Sequence, residues 1–261
     1  MYQKELEAMI AAAKLAEVKI KEIYSKPFEV EIKSDDSPVT AADKAADAII
    51  RESLGKQFPD YGFLTEESVD TPERLSKRCI FIVDPVDGTK EFVAHNGEFT
   101  TNIALAVDKE VVAGVINVPI RGEIYYASQG DGAFKMDSFG NLTRLSVSDK
   151  TTDLTVYLSR SFLKEEEVAM IEKNKDKIAH RETIGAALKF CYIAEGKGEI
   201  SFRLSQNTKE WDVAAGEIIL REAGGDMLKP DGTHYEYNRV DPYNRAGYML
   251  FNKKANFFFD K

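Results

Sequence analysis

Residues 79–83, Cys-Ile-Phe-Ile-Val, form an unbroken apolar run that ends in Asp84-Pro85-Val86-Asp87-Gly88-Thr89. A run this short and this uniformly apolar reads as a buried strand. The acidic hexapeptide follows at its C-terminal end, in a loop. Strand ends and helix starts are where side chains converge on one crevice of a layered fold. The segment therefore ties a core element to a candidate site.

The rest of the chain supplies partners for that strand. Leu6, Met9, Ile10, Ala13, Ala16, Ile20 and Ile23 recur at helical spacing and predict a first helix with one buried face. Phe28, Val30 and Ile32 alternate with charged residues, as in a half-exposed strand. Ser37-Pro38 breaks the chain, and a second helix is expected over 40–54, stopped by Gly55. A short strand covers 62–64. Between 100 and 136, β-rich runs alternate with turn residues, as in an antiparallel meander. Beyond 150 the texture alternates. Strands are expected near 155–158, 200–204 and 248–251, and helices near 163–175 and 184–195. A last helix runs from 212 to 223 and ends at Gly224-Gly225. This is an α+β first half, 1–150, and an α/β second half, 151–261. No repeat or long linker separates them, so one compact unit is expected.

Composition narrows the function classes. The 261 residues are 43% hydrophobic and 30% charged, enough for a sizeable core. A net charge of -9 argues against general attraction to nucleic acid. Such a protein repels an anionic substrate unless metal ions or local Lys and Arg reverse the field. Cys79 and Cys191 each stand in an apolar run and read as buried thiols of a reducing compartment. The charged, helical N-terminus is unlike a signal peptide, and no apolar run approaches a membrane span. A cytoplasmic protein is expected, with peripheral contact to a membrane left open.

Asp43, Glu66, Asp84, Asp87 and Asp212 fall at element ends. Pro85 stiffens the turn between Asp84 and Asp87, and Gly88 permits close backbone approach to a ligand. Oxygen-rich sites of this kind suit hard cations, with magnesium the usual occupant. Each acid also has a local reading. Asp87-Gly88 is a common turn dipeptide, and Asp43 follows Thr40 at capping-box spacing. Glu66-Glu67 could be a solvated loop, and Asp212 an acid favoured by a helix N-terminus. Spacing alone leaves both readings open. The haloacid-dehalogenase spacing, the Walker and dinucleotide glycine loops and the G-x-S-x-G elbow are all missing from the sequence. His95, His180 and His234 lack metal-ligand spacing. Metal-assisted hydrolysis by carboxylates and a hydroxyl survives.

The hexapeptide resembles the D-P-I/L/V-D-G-T motif of the inositol monophosphatase superfamily. Trp211-Asp212-Val213-Ala214-Ala215-Gly216, continuing to Gly224-Gly225, resembles its second signature. The stretch from Ser37 to Asp43 and Leu64-Thr65-Glu66-Glu67-Ser68 are similar to its two earlier elements. Together they cover nearly the whole chain. Lys90-Glu91-Phe92 and Asn96-Gly97-Glu98-Phe99-Thr100 are similar to the CysQ-type 3'(2'),5'-bisphosphate nucleotidase branch, as are Ser159-Arg160-Ser161 and Leu188-Lys189-Phe190-Cys191.

The resemblance implies a layered αβαβα sandwich of the sugar-phosphatase type, two or three magnesium ions, and hydrolysis of adenosine 3',5'-bisphosphate to AMP and phosphate. Glu66, Asp84, Asp87, Asp212 and the Val86 carbonyl would hold the ions. Glu66, Asp43 and Thr89 would be catalytic, Thr89 activating water with Asp43 behind it. Gly88, Thr89, Ser159, Gly185, Lys189 and Asp212 would contact substrate. Lys189 also reads as a helix residue whose charge reaches solvent along its apolar stem. Phe162 stands where relatives often have histidine, and Ala186 where bacterial relatives often have serine. An inositol or sugar phosphate phosphatase is the alternative of the same class, and a non-catalytic phosphometabolite-binding protein that of another. Homodimers are common in the family; no local feature here specifies one.

Overall fold

The computed structural model describes residues 2–32, 38–160 and 164–259. The chain opens with helix α1 (Gln3–Tyr24), strands β1 (Val30–Ile32) and β2 (Pro38–Thr40), and helix α2 (Ala41–Gln57). Next come β3 (Gly62–Thr65), β4 (Cys79–Asp87), the short helix α3 (Thr89–Val93), and the meander β5 (Thr100–Val107), β6 (Glu110–Val118), β7 (Glu123–Ser128), β8 (Gly132–Met136) and β9 (Leu142–Arg144). The remainder is β10 (Leu154–Ser159), α4 (Glu165–Lys173), β11 (Ile178–Ile184), α5 (Leu188–Ala194), β12 (Ile200–Arg203), α6 (Glu210–Glu222), β13 (Asp226–Leu228) and β14 (Tyr248–Phe251).

Two sheets organise these elements. Strands β3 to β9 lie in sequence order in a seven-stranded sheet, antiparallel except for the parallel β3–β4 pair. The second sheet has the order β11-β10-β12-β14-β13 and mixes parallel and antiparallel pairs. Side-chain alternation assigns each face. Phe81 and Val83 of β4 pack with Ala13, Ala16, Ala46 and Ile50 of α1 and α2. Ile80 and Ile82 point the other way, into a cluster with Leu188 of α5 and Ile218 of α6. That cluster also takes Tyr157 and Leu250 from the second sheet. The far face of this sheet, with Val156, Phe202 and Met249, packs on Ile171 of α4. The layers therefore run helix, sheet, helix, sheet, helix, as expected.

This layering explains the apolar texture. β4 is covered on both faces, so it shows a run and no alternation. Helix α6 lies between two sheets. Val213, Ala214, Ile218, Ile219 and Leu220 surround it with buried surface, as a helix enclosed on all sides requires.

Several boundaries differ from expectation. The hexapeptide is no loop: β4 continues through Asp87, and α3 begins at Thr89. The helix expected near 184–195 is present as α5 but starts only at Leu188, after a turn, and strand β11 (Ile178–Ile184) before it was not expected. Exposed, polar β11 residues hid an edge strand, because an edge pairs through its backbone whatever its outer side chains. Gly55 does not stop α2, which reaches Gln57, and α6 starts at Glu210 rather than at Asp212. β1 is exposed throughout. Both cysteines are free; Cys191 is buried as expected, but Cys79 is half-buried at the start of its strand. Ser37, Ser161 and Phe162 lie outside the described residues. No helix among the described residues is long and apolar enough to cross a membrane.

Candidate active site

The irregular end of β4 builds one wall of a cavity of about 560 Å³. Asp84 stands opposite Asn102 of β5, but Asp87 stands opposite Thr100. Three steps along β4 match two along β5, which is a one-residue bulge. The bulge re-aims the strand so that Asp84, Val86 and Asp87 all line the cavity. Gly88 then caps α3 with φ +90°, a conformation that glycine adopts without steric cost. A Cβ there would also lie 3.1 Å from the Glu98 carbonyl and 3.2 Å from the Ala186 Cβ.

Neighbouring elements bring the other acids. Glu66 follows β3, and its N–H extends the parallel pairing by donating to the Val83 carbonyl at 3.2 Å. Asp212 is the third residue of α6, and its Oδ2 accepts the Lys209 N–H at 2.7 Å. Asp43 sits in the first turn of α2 behind the cavity wall. Its Oδ2 accepts from the Thr40 N–H at 2.8 Å and the Thr40 hydroxyl at 2.6 Å. Its Oδ1 faces the Thr89 hydroxyl at 3.2 Å. The local capping reading of Asp43 and Asp212 is therefore present, and it aims both side chains.

Glu66, Asp84, Asp87 and Asp212 share this cavity, and their charges conflict. Burial raises Asp84 well above the usual carboxylate range, and the Glu66 and Asp87 charges raise it further. Burial pushes Asp87 up to about 6, against the stabilising charge of Lys189. Asp212 is pushed up to about 8 by burial and then by Asp87 and Glu66. Burial also lowers Lys189, whose Nζ donates to the Ala186 carbonyl at 2.7 Å.

Among the described residues, no group of three or more carboxylates, histidines or thiols is arranged to hold a metal ion as it stands. Asp84 accepts from the Val86 N–H, Asp87 from Asn102 and Asp212 from the Lys209 N–H. The donor set still fits a hard divalent cation in kind. It is all oxygen, Asp84 is buried with the other three acids half-buried, and its excess negative charge is what such an ion offsets.

Ser159, Gly185 and Lys189 line the same cavity, across from the acids in sequence. So do Lys164, Arg203, Lys209, Trp211 and Tyr248, none of which the sequence singled out as substrate contacts. Arg203 ends a strand and Lys209 stands just before Trp211-Asp212, so position relative to element ends was the usable signal.

A model of the inositol monophosphatase family matches residues 1–255. The chain belongs to the inositol monophosphatase family. It is 37% identical over 249 residues to the 3'(2'),5'-bisphosphate nucleotidase CysQ of Salmonella typhimurium, covering 94% of this chain and 98% of that protein. The crystal structure of CysQ from Bacteroides thetaiotaomicron superposes with a TM-score of 0.82 at 34% identity, covering 97% of this chain and 99% of that one. The extragenic suppressor protein suhB from Bartonella henselae superposes with a TM-score of 0.81 at 29% identity, over 98% of each chain. Inositol monophosphatase family membership gives this chain a metal-dependent phosphatase activity.

Proposed function

We propose that this protein is a magnesium-dependent 3'(2'),5'-bisphosphate nucleotidase that converts adenosine 3',5'-bisphosphate to AMP and phosphate. The observation that carries the reading is that one cavity gathers acids and cations together. Glu66, Asp84, Asp87 and Asp212 line it, and so do Lys164, Lys189, Arg203 and Lys209. A substrate with two phosphates can engage metal held by the acids at one phosphate and basic side chains at the other. The likeness to CysQ proteins over nearly the whole chain supports the same substrate class.

Glu66, Asp84, Asp87, Asp212 and the Val86 carbonyl would hold magnesium. Bound there, the ion supplies charge that polarises the phosphoryl group and lowers the pKa of the attacking water. The chain's own contribution is proton handling and orientation. Thr89 donates to Asp43, so its lone pairs are free to take a proton from water while its own proton passes to Asp43. Burial raises the proton affinity of Asp43, which suits that role. The Gly88 and Thr89 amides open α3 and would donate to phosphate oxygens. Ser159, Gly185 and Lys189 would contact the nucleoside and its second phosphate.

Phosphate release across a substrate panel, with and without magnesium, tests this. Magnesium-dependent release from adenosine 3',5'-bisphosphate in preference to inositol phosphate is expected. Preference for inositol phosphate overturns the nucleotidase reading, and no release from any substrate favours a binding protein.

A further inference from the structure

Glu98 lies outside the acidic constellation and is not among the residues that line the cavity. It joins two segments that do line it, the end of β10 at Ser159 and the turn at Gly185. Its carboxylate accepts a two-pronged bond from Arg160, at 2.8 Å from Nε and 2.7 Å from Nη2. The same carboxylate accepts the Gly185 N–H at 2.9 Å. Arg160 also donates to the Thr183 carbonyl at 3.1 Å. Glu98 leads into β5, Arg160 follows Ser159 at the end of β10, and Thr183 and Gly185 flank the end of β11. One side chain thus pins the ends of β10 and β11 to the chain that enters β5.

The pinned turn is tight and strained. A Cβ at Gly185 would lie 2.8 Å from both the Glu91 Cγ and the Glu98 carbonyl. Ala186 follows with φ +51°, a left-handed backbone that costs a non-glycine residue of order 1–3 kcal/mol and persists only when its surroundings impose it. Its carbonyl, set by that backbone, holds the Lys189 ammonium. The Ala186 Cβ would in turn abut a side chain at Gly88. The chain of contacts runs from Glu98 through Gly185 and Ala186 to Lys189.

We propose that Glu98 is a positioning residue: through Arg160 and the Gly185 amide it holds the 185–186 turn in the backbone that sets Lys189 for the substrate's second anionic group. The pair is a bidentate Arg–carboxylate, which fixes direction as well as distance. Arg160 is 42% exposed and Glu98 is 16% exposed, so geometry rather than bulk stability is the expected contribution. The part concerning substrate rests on the nucleotidase reading above.

Two measurements on the full chain test the clamp. The first is hydrogen exchange over residues 184–187 in wild type, Glu98→Ala and Glu98→Gln. Exchange about tenfold faster in Glu98→Ala is expected, with β5 unchanged and Glu98→Gln in between, because its amide oxygen still accepts from Gly185 (a factor of ten is about 1.4 kcal/mol). Equal exchange in all three overturns the proposal. The second is steady-state kinetics at saturating magnesium. Loss of a contact made equally in ground and transition states raises KM and spares kcat. Glu98→Ala should raise KM for adenosine 3',5'-bisphosphate about tenfold and shift that for p-nitrophenyl phosphate by less than about threefold. Faster exchange with an unchanged KM overturns the link to substrate, as does an equal rise for both esters. A wild type inert towards the bisphosphate overturns the nucleotidase reading instead, and exchange then judges the clamp alone. If Glu98→Ala does not fold, Arg160→Met severs the ion pair but leaves the Gly185 bond, and exchange faster than wild type, as in Glu98→Gln, is required of it.

Discussion

The Thr89 hydroxyl lies 3.2 Å from Asp43 Oδ1, joining the first turn of α3 to the first turn of α2. The same hydroxyl lies 3.2 Å from the Val86 carbonyl, so its one proton is shared between two acceptors. The alternate acceptor matters chemically. A hydroxyl turned towards Asp43 can pass that carboxylate its proton while its lone pairs face water, and one turned towards Val86 is out of that path.

Asp43→Asn separates these roles. The amide can keep its oxygen on the Thr40 N–H, but it no longer accepts a proton as a carboxylate does. Turnover should fall by about 10²-fold or more, the range for loss of a general base. The melting temperature should fall only modestly, because capping is worth about 1 kcal/mol. Activity within threefold of wild type, measured as phosphate release, removes Asp43 from the proton path.

Gly88→Ala tests the other side of the turn. The position has φ +90°, and the added methyl meets the Glu98 carbonyl and Ala186 within 3.2 Å. The left-handed backbone alone costs about 1–3 kcal/mol in a non-glycine residue. The variant should lose about that much stability in denaturant titration, and its turnover should fall further as the loop shifts. A midpoint equal to wild type means the turn relaxes freely and is not held by Glu98 and Ala186.

Much of this fold can be read from residue spacing, and the exceptions have physical causes. The buried run 79–83 and the periodic α1 and α2 face a core, and a core imposes a period. β11 faces solvent along most of its length, so burial left no mark on it. The bulge in β4 is likewise invisible locally: it arises from β5 holding register against an extra residue, a constraint that only the partner strand supplies. Among candidate residues, the acids stood out because carboxylates at element ends need a reason. Arg203 did not, because a basic residue on an acidic protein is unremarkable until the fold buries it. Asp43 shows how local and functional readings coincide, since its cap is what points Oδ1 at Thr89.

Asp212→Asn removes a charge that its neighbours oppose. Burial and the charges of Asp87 and Glu66 hold the folded pKa of Asp212 at about 8, above the ordinary value for a carboxylate. A carboxylate with a raised folded pKa costs stability as pH rises past its unfolded value, because ionisation is harder in the folded chain. The asparagine oxygen can still accept the Lys209 N–H. In chelator, the variant should therefore melt above wild type at pH 8, and the gap should narrow towards pH 4. Addition of magnesium should raise the melting temperature of wild type more than that of the variant, because the variant has lost a ligand charge. A variant that melts below wild type in chelator at pH 8 contradicts the crowding described for this cavity.

His234 offers a pH test away from the cavity. Its Nε2 lies 2.9 Å from Asp226 Oδ1, at the start of β13. That bond raises the histidine pKa above its ordinary value of 6.5, against the opposing effect of partial burial. A raised folded pKa means that the protonated form is favoured by folding. The stabilising contribution is fully present below about 6.5, the unfolded value, and is lost as pH rises through the folded value. His234→Gln should therefore lower the melting temperature at pH 5.5, and the difference from wild type should shrink steadily between pH 6.5 and 8.5. Phosphate release at constant pH should be unaffected, since His234 does not line the cavity. A difference in melting temperature that is constant across this range means that the pair acts as a neutral hydrogen bond and not through charge.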